Sequence, residues 1–474
     1  MGDLLSFDSP NEKCAVFGAF GVPHALSVTK TALQAMQHRG QEAAGIAVKT
    51  KNGRLQWYGG AGLVKDVFAD AKLLQTPGKN AIGHDRYATS GGSGGSHPQP
   101  TMENENSLSF AHNGNLALTG AMEQFLREHS VSFGGLNDSQ MMGRVIAWHV
   151  NQGVSLDTAI AAAYPLFTGA FSAAALNNDM LVAFRDECGI RPLSLGKLGR
   201  GYVVASETCA FDAIGARFIR DIKPGEMVTI DATGLRSHQI IPPNPKADLF
   251  ELVYFASQDS LFKGIRIGDM RVRMGEQLAR EWPAAADIVV PVPNSAIPAA
   301  RGFATQSNLP YIEGLHRNPQ YQKRTFIEPN QAARTQGVRE KLKALPVVKG
   351  KRVVLVDDSI VRGTTMVAIV QMLRDAGARE VHLRISSPPV RYPDFYGTDI
   401  PNQLELLANR MNNAQMCEHL GVDSLGYLSL EGTIAATGRP GDEFSACCFD
   451  GIYPIAIGFH YADIENIKEP VLVA

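Results

Sequence analysis

VVLVDDSIVRGTT, Val353 to Thr365, is the stretch whose reading decides how half of this chain folds. Its four leading apolar residues, rich in valine, predict a buried strand. Two carboxylates, Asp357 and Asp358, stand where that strand ends, and Ser359, Arg362, Gly363, Thr364 and Thr365 then lead into a helix. In open α/β sheets, ligands bind beyond the carboxyl ends of the strands. Backbone N–H groups of such a loop, with a helix N-terminus behind them, suit a phosphate. Two adjacent carboxylates suit a divalent cation or vicinal sugar hydroxyls. Together these features describe a phosphorylated sugar as ligand. Neither the Walker A loop nor the dinucleotide fingerprint occurs in the stretch.

The neighbouring segments repeat the pattern. ADIVVPVPNSAIPAARGFATQ reads as strand, loop and helix, and REVHLRISS reads as a further strand, so the second half is expected to build a parallel sheet. Ser295 falls at another strand end, where a pyrophosphate and its metal could be met. Gln322–Arg334, QKRTFIEPNQAAR, is basic and has no clear period; taken alone it reads as a solvated loop. The polar, proline-rich stretch Arg236–Phe250 reads as the linker between the halves. Before it, short alternating runs predict packed antiparallel sheets with helices outside. QEAAGIAVKT and RLQWYGGAG form a hairpin around an Asn-Gly turn, and GLNDSQMMGRVIAWHV opens a helix capped by Asn137 or Asp138. AFSAAALNNDMLVAFRD and GYVVASETCAFDA read as further strands.

Four features of the first half could form one site. Cys14 is a potential nucleophile at the mouth of a strand. Asn113 with Gly114, in AHNGNL, offers a side-chain amide and a backbone N–H, the two donors an oxyanion needs. Arg86, in GHDRYATSG, offers a planar fork for a carboxylate, and Asp138, in NDSQ, a partner for an ammonium. Carboxylate plus ammonium is the signature of a free amino acid. Each also has a plain structural alternative: Arg86 a surface ion pair, Asn113-Gly114 a hairpin turn, Asp138 a helix cap.

The whole chain bounds these readings. At 474 residues it is too long for one ordinary core. With 45 basic and 47 acidic residues its net charge of −2 gives no bias toward nucleic acid or anionic membrane. No apolar run is long enough to span a bilayer, and MGDLLSFDSPNEK is no secretion signal, so a cytoplasmic protein is expected. The six cysteines form no C-x-x-C pair and no zinc spacing.

VVLVDDSIVRGTT resembles the 5-phosphoribosyl-1-pyrophosphate (PRPP) motif of type I phosphoribosyltransferases. Cys14, Arg86, Asn113-Gly114 and Asp138, in that order, resemble the glutaminase domain of class II amidotransferases. Joined in this order, and with RDECGIRPLSLG, ASETCAFDAIGA, RTFIEP, ISSPP and DSLGYLSLEG as further matches, they resemble the glutamine PRPP amidotransferase family. The resemblance implies an α/β and α+β two-domain protein: an N-terminal-nucleophile αββα sandwich over residues 14–242, then a phosphoribosyltransferase parallel-sheet domain over 250–460 and a tail over 461–474. It implies that Cys14 attacks the amide of glutamine while Asn113 and Gly114 hold the oxyanion. Arg39, Arg86, Thr89 and Asp138 would bind glutamine. Ser359, Arg362, Gly363, Thr364 and Thr365 would cradle the 5-phosphate, and Ser295, Asp357 and Asp358 would meet Mg2+. The segment around Lys323, Arg324 and Arg334 becomes a lid reaching the pyrophosphate. Purine nucleotides are the expected feedback inhibitors, and a homotetramer or homodimer the expected assembly.

The family uses the free α-amine of its cysteine as general base. Such an amine titrates near pH 7.7–8.0, whereas a peptide nitrogen has no basic lone pair. Residues 1–13 are therefore expected to be a propeptide. Some members hold a [4Fe–4S] cluster on four cysteines. Those positions fall here on Asp248, Asp394, Ser445 and Cys448, so no iron–sulfur centre is expected. Ala15, Gln140 and Asn294 depart from the usual glycine, glutamate and aspartate.

Overall fold

A computed structural model describes residues 14–50, 52–86, 98–318, 340–398, 400 and 402–458. The first half is built on two antiparallel sheets. One has seven strands, with Ala15–Phe20 central between Gly201–Ala205 and Ala81–Arg86, and the hairpin Ala43–Lys49/Leu55–Ala61 at one edge. The other has six, with Leu108–Leu118 and Thr168–Asn177 paired near one edge.

Alternation along the strands produces three cores between four layers. Ala15, Phe17 and Ala19 face the helix Ala25–Ala35. Val16, Ile82 and Val204 meet Ala111, Ala174 and Ala183 between the sheets. Phe110, Phe171 and Phe184 face the helices Asp138–Asn151 and Leu156–Ala163. That is the αββα sandwich.

The second half carries a four-stranded parallel sheet, Ile288–Pro291, Arg352–Asp357, Glu380–Ile385 and Ser424–Tyr427, in chain order. Val354 and Val356 face one core, and Val353 and Leu355 the other, so the strand is buried on both faces, as a βα unit requires. Among the described residues no helix is long and apolar enough to cross a membrane.

Three readings change. ETCAFDA is not strand: after Gly201–Ala205 the chain turns into the helix Cys209–Ile214, stopped by Gly215 in the left-handed conformation. Arg236–Gln239 is not linker but part of the edge strand Gly234–Gln239. Its exposed polar side chains suit an edge. Asn113-Gly114 is not a hairpin turn, because both residues lie inside the single strand Leu108–Leu118.

Asp85 is a local conflict. It is fully buried in Ala81–Arg86, opposite Ala15 and Ala44, and neither carboxylate oxygen has a hydrogen-bond partner among the described residues. Burial pushes its carboxyl well above the usual range. A raised folded-state pKa gives stability that is full below the unfolded value near 3.8 and is lost as pH rises. Replacement by Asp85→Val should therefore raise stability by about 1–3 kcal/mol at pH 8, and by less near pH 4. Thermal midpoints at the two pH values check this; a lower midpoint at both would mean that the carboxyl is satisfied.

Candidate functional site

The first site lies where the two sheets face each other. Cys14 immediately precedes the central strand Ala15–Phe20. The start of that strand is held on both sides: Val16 N donates to Ser206 Oγ at 3.0 Å, and Ser206 N returns to Val16 O at 3.0 Å. Arg39 Nε donates to the Cys14 carbonyl at 3.0 Å. Arg39 is almost wholly buried, and its remaining nitrogens engage Glu207 and Glu251. Burial alone would raise the Glu207 carboxyl, but His38 and Arg39 outweigh it and hold it well below the usual range. Arg39, expected on glutamine, here holds the backbone carbonyl of Cys14. Ala15 packs its methyl into the sheet–helix core.

Asn113 is 2% exposed, and its Nδ2 donor is buried with no partner among the described residues. A buried unmet donor costs about 1–3 kcal/mol, so this one is available to an incoming acceptor. Gly114 has φ +135°, and a Cβ there would lie 2.0 Å from the Ala170 carbonyl oxygen, so only glycine fits.

Asp138 begins the helix Asp138–Asn151, but Asn137 caps it: its side chain accepts from Gln140 N, and Gln140 answers to Asn137 N. Gln140 thus completes a capping box where glutamate was expected. Freed from capping, Asp138 accepts from Leu116 N at 3.2 Å and Ser139 N at 2.7 Å. Burial raises its carboxyl, but His112 and these two N–H groups outweigh it and keep it below its ordinary value, hence ionised.

Gln99 joins these parts, and sequence reasoning missed it. Its Oε1 accepts from His112 N at 2.8 Å, beside Asn113, and its Nε2 donates to Ser139 Oγ at 2.9 Å. The Ser139 hydroxyl also lies 2.9 Å from His112 Nδ1, and His112 Nε2 lies 3.4 Å from Asp138 Oδ2. Arg86 ends the strand Ala81–Arg86, half-buried. Thr89 lies outside the described residues, as do residues 1–13 and 461–474.

The second site lies at the carboxyl edge of the parallel sheet. Ser295 follows the strand Ile288–Pro291, whose neighbour ends at Asp357. Asp358 is buried; its N–H donates to Asp357 Oδ1 at 2.9 Å, and its Oδ1 accepts from Ser359 Oγ at 2.9 Å. Gly363, φ +84°, precedes the helix Thr364–Asp375, so Thr364 and Thr365 form its first turn. Arg362 pairs with Glu405 at 2.8 Å. Oxygen donors at one strand end suit a hard cation, while the loop and helix N-terminus suit an anion. No group of three or more His, Cys, Asp or Glu side chains that could hold a metal occurs among the described residues. Lys323, Arg324 and Arg334 lie outside them.

The positions Asp248, Asp394, Ser445 and Cys448 do converge. Asp248 pairs with Ser445 in a short parallel bridge, and Arg191 reaches Asp248 at 3.3 Å and Asp394 at 3.8 Å. Burial pushes the Asp248 carboxyl up to about 7.

Family models match both halves: the glutamine amidotransferase domain over residues 84–213 and the phosphoribosyl transferase domain over 258–386. The chain is 43% identical to an amidophosphoribosyltransferase of Mycobacterium tuberculosis, over 98% of this chain and 90% of that one. It is 42% identical to that of Bacillus subtilis, over 99% of each. A solved glutamine PRPP amidotransferase from B. subtilis, complexed with ADP and GMP, superposes with a TM-score of 0.86 at 41% identity, covering 94% of this chain and 98% of that one.

Removing the Gln99 clamp by Gln99→Ala leaves His112 N and Ser139 with unmet groups. The loss of about 1–3 kcal/mol should appear as a roughly 10–100-fold drop in kcat/KM for glutamine, with ammonia-dependent turnover retained. Steady-state kinetics with each nitrogen source checks it.

Proposed function

The chain belongs to the amidophosphoribosyltransferase family, and from that premise we propose how its residues divide the work. The reaction is glutamine-dependent amidotransfer to PRPP, the first step of purine biosynthesis. Residues 14–242 act as the glutaminase domain and 250–460 as the phosphoribosyltransferase domain.

The Cys14 thiol attacks the side-chain amide carbon of glutamine. Its proton passes to the α-amine of Cys14, which exists once residues 1–13 are removed. Arg86 and Thr89 hold the substrate carboxylate end and Asp138 its ammonium. Asn113 Nδ2 and the Gly114 N–H receive the oxyanion as the tetrahedral intermediate forms. Ammonia leaves, and water then hydrolyses the thioester to glutamate. The Asn113 donor is the observation that carries this reading: it is buried, unsatisfied among the described residues and beside a glycine that admits no side chain.

In the second half, Asp357 and Asp358 hold the ribose hydroxyls, and Ser359, Arg362, Gly363, Thr364 and Thr365 receive the 5-phosphate. Ammonia attacks C1, the C1–O bond breaks, and pyrophosphate departs toward Lys323, Arg324 and Arg334. The oxygen donors of Ser295, Asp357 and Asp358 fit Mg2+, which when bound would neutralise charge on the pyrophosphate. Water must be kept from C1, because it competes with ammonia there. Purine nucleotides are proposed as inhibitors, in keeping with the nucleotide-bound B. subtilis enzyme.

Cys14→Ser should abolish glutamine-dependent pyrophosphate release and leave the ammonium-dependent reaction. Asn113→Ala should lower glutaminase kcat by about 10²–10³-fold. The intact mass of untagged active protein should lack residues 1–13. Glutamine-dependent turnover by protein that retains them would overturn the α-amine assignment.

A further inference from the structure

Two glycines from opposite halves of the chain meet back to back. A Cβ on Gly397 would lie 2.9 Å from both the carbonyl carbon and the Cα of Gly114, and 3.3 Å from Asn115 N. Beside them, Asn115 Nδ2 donates to the Phe395 carbonyl at 2.9 Å. Gly397 has φ +98°, a conformation that side chains rarely adopt. The segment 394–398 therefore lies against the backbone that presents one of the two oxyanion donors.

That backbone needs support there. The strand Leu108–Leu118 pairs regularly with Thr168–Asn177 only as far as Asn115, after which the register shifts. Gly114 is thus the most permissive residue type at the point where the ladder ends. On one side the Ala170 carbonyl confines it, and on the other segment 394–398 does.

The segment is itself held rigidly. Asp394 Oδ1 accepts from Tyr396 N at 2.8 Å and Thr398 N at 3.0 Å. Arg191, from the first half, donates to the Tyr396 carbonyl at 2.9 Å and to Thr398 Oγ1 at 2.6 Å. The Tyr396 ring is fully buried, and its hydroxyl accepts from Ile455 N at 3.0 Å. Both halves clamp the segment, and its free edge is Gly397.

We propose that segment 394–398, supplied by the phosphoribosyltransferase half, completes the oxyanion hole of the glutaminase half, with Asn115 and Gly397 as its positioning residues. The proposal rests on the assignment of Asn113 and Gly114 as oxyanion donors. Neither Asn115 nor Gly397 touches glutamine; both act through the Gly114 N–H. A donor displaced by a fraction of an ångström loses most in the transition state, where the charge on oxygen is largest. The signature is therefore a fall in kcat at unchanged KM.

Asn115→Ala removes the bond to Phe395 and keeps the packing, while Gly397→Ala drives a methyl into Gly114. Glutaminase kcat and KM, ammonia-dependent synthesis and affinity for the γ-aldehyde of glutamate would be measured. That aldehyde adds the Cys14 thiol to give a hemithioacetal, a tetrahedral carbon whose oxygen would sit in the hole. For Asn115→Ala we expect kcat and aldehyde affinity to fall together by about tenfold, less than loss of a donor itself. Glutamine KM and ammonia-dependent synthesis should stay within about twofold. Gly397→Ala should show a larger loss of the same kind if it folds. Unchanged kcat and aldehyde affinity in Asn115→Ala would overturn the proposal, as would a rise in KM alone or an equal fall in ammonia-dependent synthesis. Asn113→Ala, run in parallel, separates the layers. If it too leaves kcat and aldehyde affinity intact, the oxyanion assignment itself fails. If it alone lowers them, only the role of segment 394–398 does.

Discussion

The position of Cys14 hangs on one buried guanidinium. Arg39 grips the Cys14 carbonyl with one nitrogen and two carboxylates with the others. Glu207 comes from the same half, and Glu251 from beyond the linker, 212 residues away. Glu251 also meets Arg191 at 3.3 Å. Charges taken this far out of water are tolerated only when paired, and removing one partner of such a set costs about 3–5 kcal/mol. The position of Cys14 is thus locked to the presence of the second half before any substrate arrives.

The two sites use different means to the same end. The first site is preorganised by buried side chains: Gln99, His112 and Ser139 bond to one another, to the backbone and to Asp138, and Ser206 holds Val16. The phosphoribosyl site instead presents backbone and short polar side chains at the edge of a sheet. This suits the chemistry. An oxyanion needs donors fixed within a fraction of an ångström in a dry pocket. A phosphate needs many N–H groups and a helix terminus, which a strand–loop–helix turn supplies without distant help.

That difference explains what could be read from sequence. VVLVDDSIVRGTT was legible because its strand, acid pair, loop and helix are contiguous, and the structure has them in that order. Packed antiparallel sheets with helices outside were legible from alternation and short turns, while the αββα order came with the family resemblance. The ion pairs among Arg39, Glu207, Glu251, Arg191 and Asp248 were not legible, because these oppositely charged partners stand 57 to 212 residues apart and nothing local marks them. Glu207 sits in ASETCAFDAIGA, a stretch singled out with no role attached, and its ETCAFDA portion was misread as strand because four of its residues are apolar. Asn113-Gly114 has the composition of a hairpin turn. Only its place opposite Phe171 and Ser172 in a long strand shows otherwise.

One feature reaches beyond the folded state. Ala170, Cys188 and Ile190 of the first half form a core with Tyr396, Cys447, Tyr453, Ile455 and Ile457. The apolar floor of the amino-terminal half is therefore closed by residues made long after it. At about 5–20 residues per second, Ile457 follows Ala170 by roughly a quarter of a minute to a minute. During that interval the nascent first half carries this apolar surface uncovered, and its last core closes only once the second half has been made.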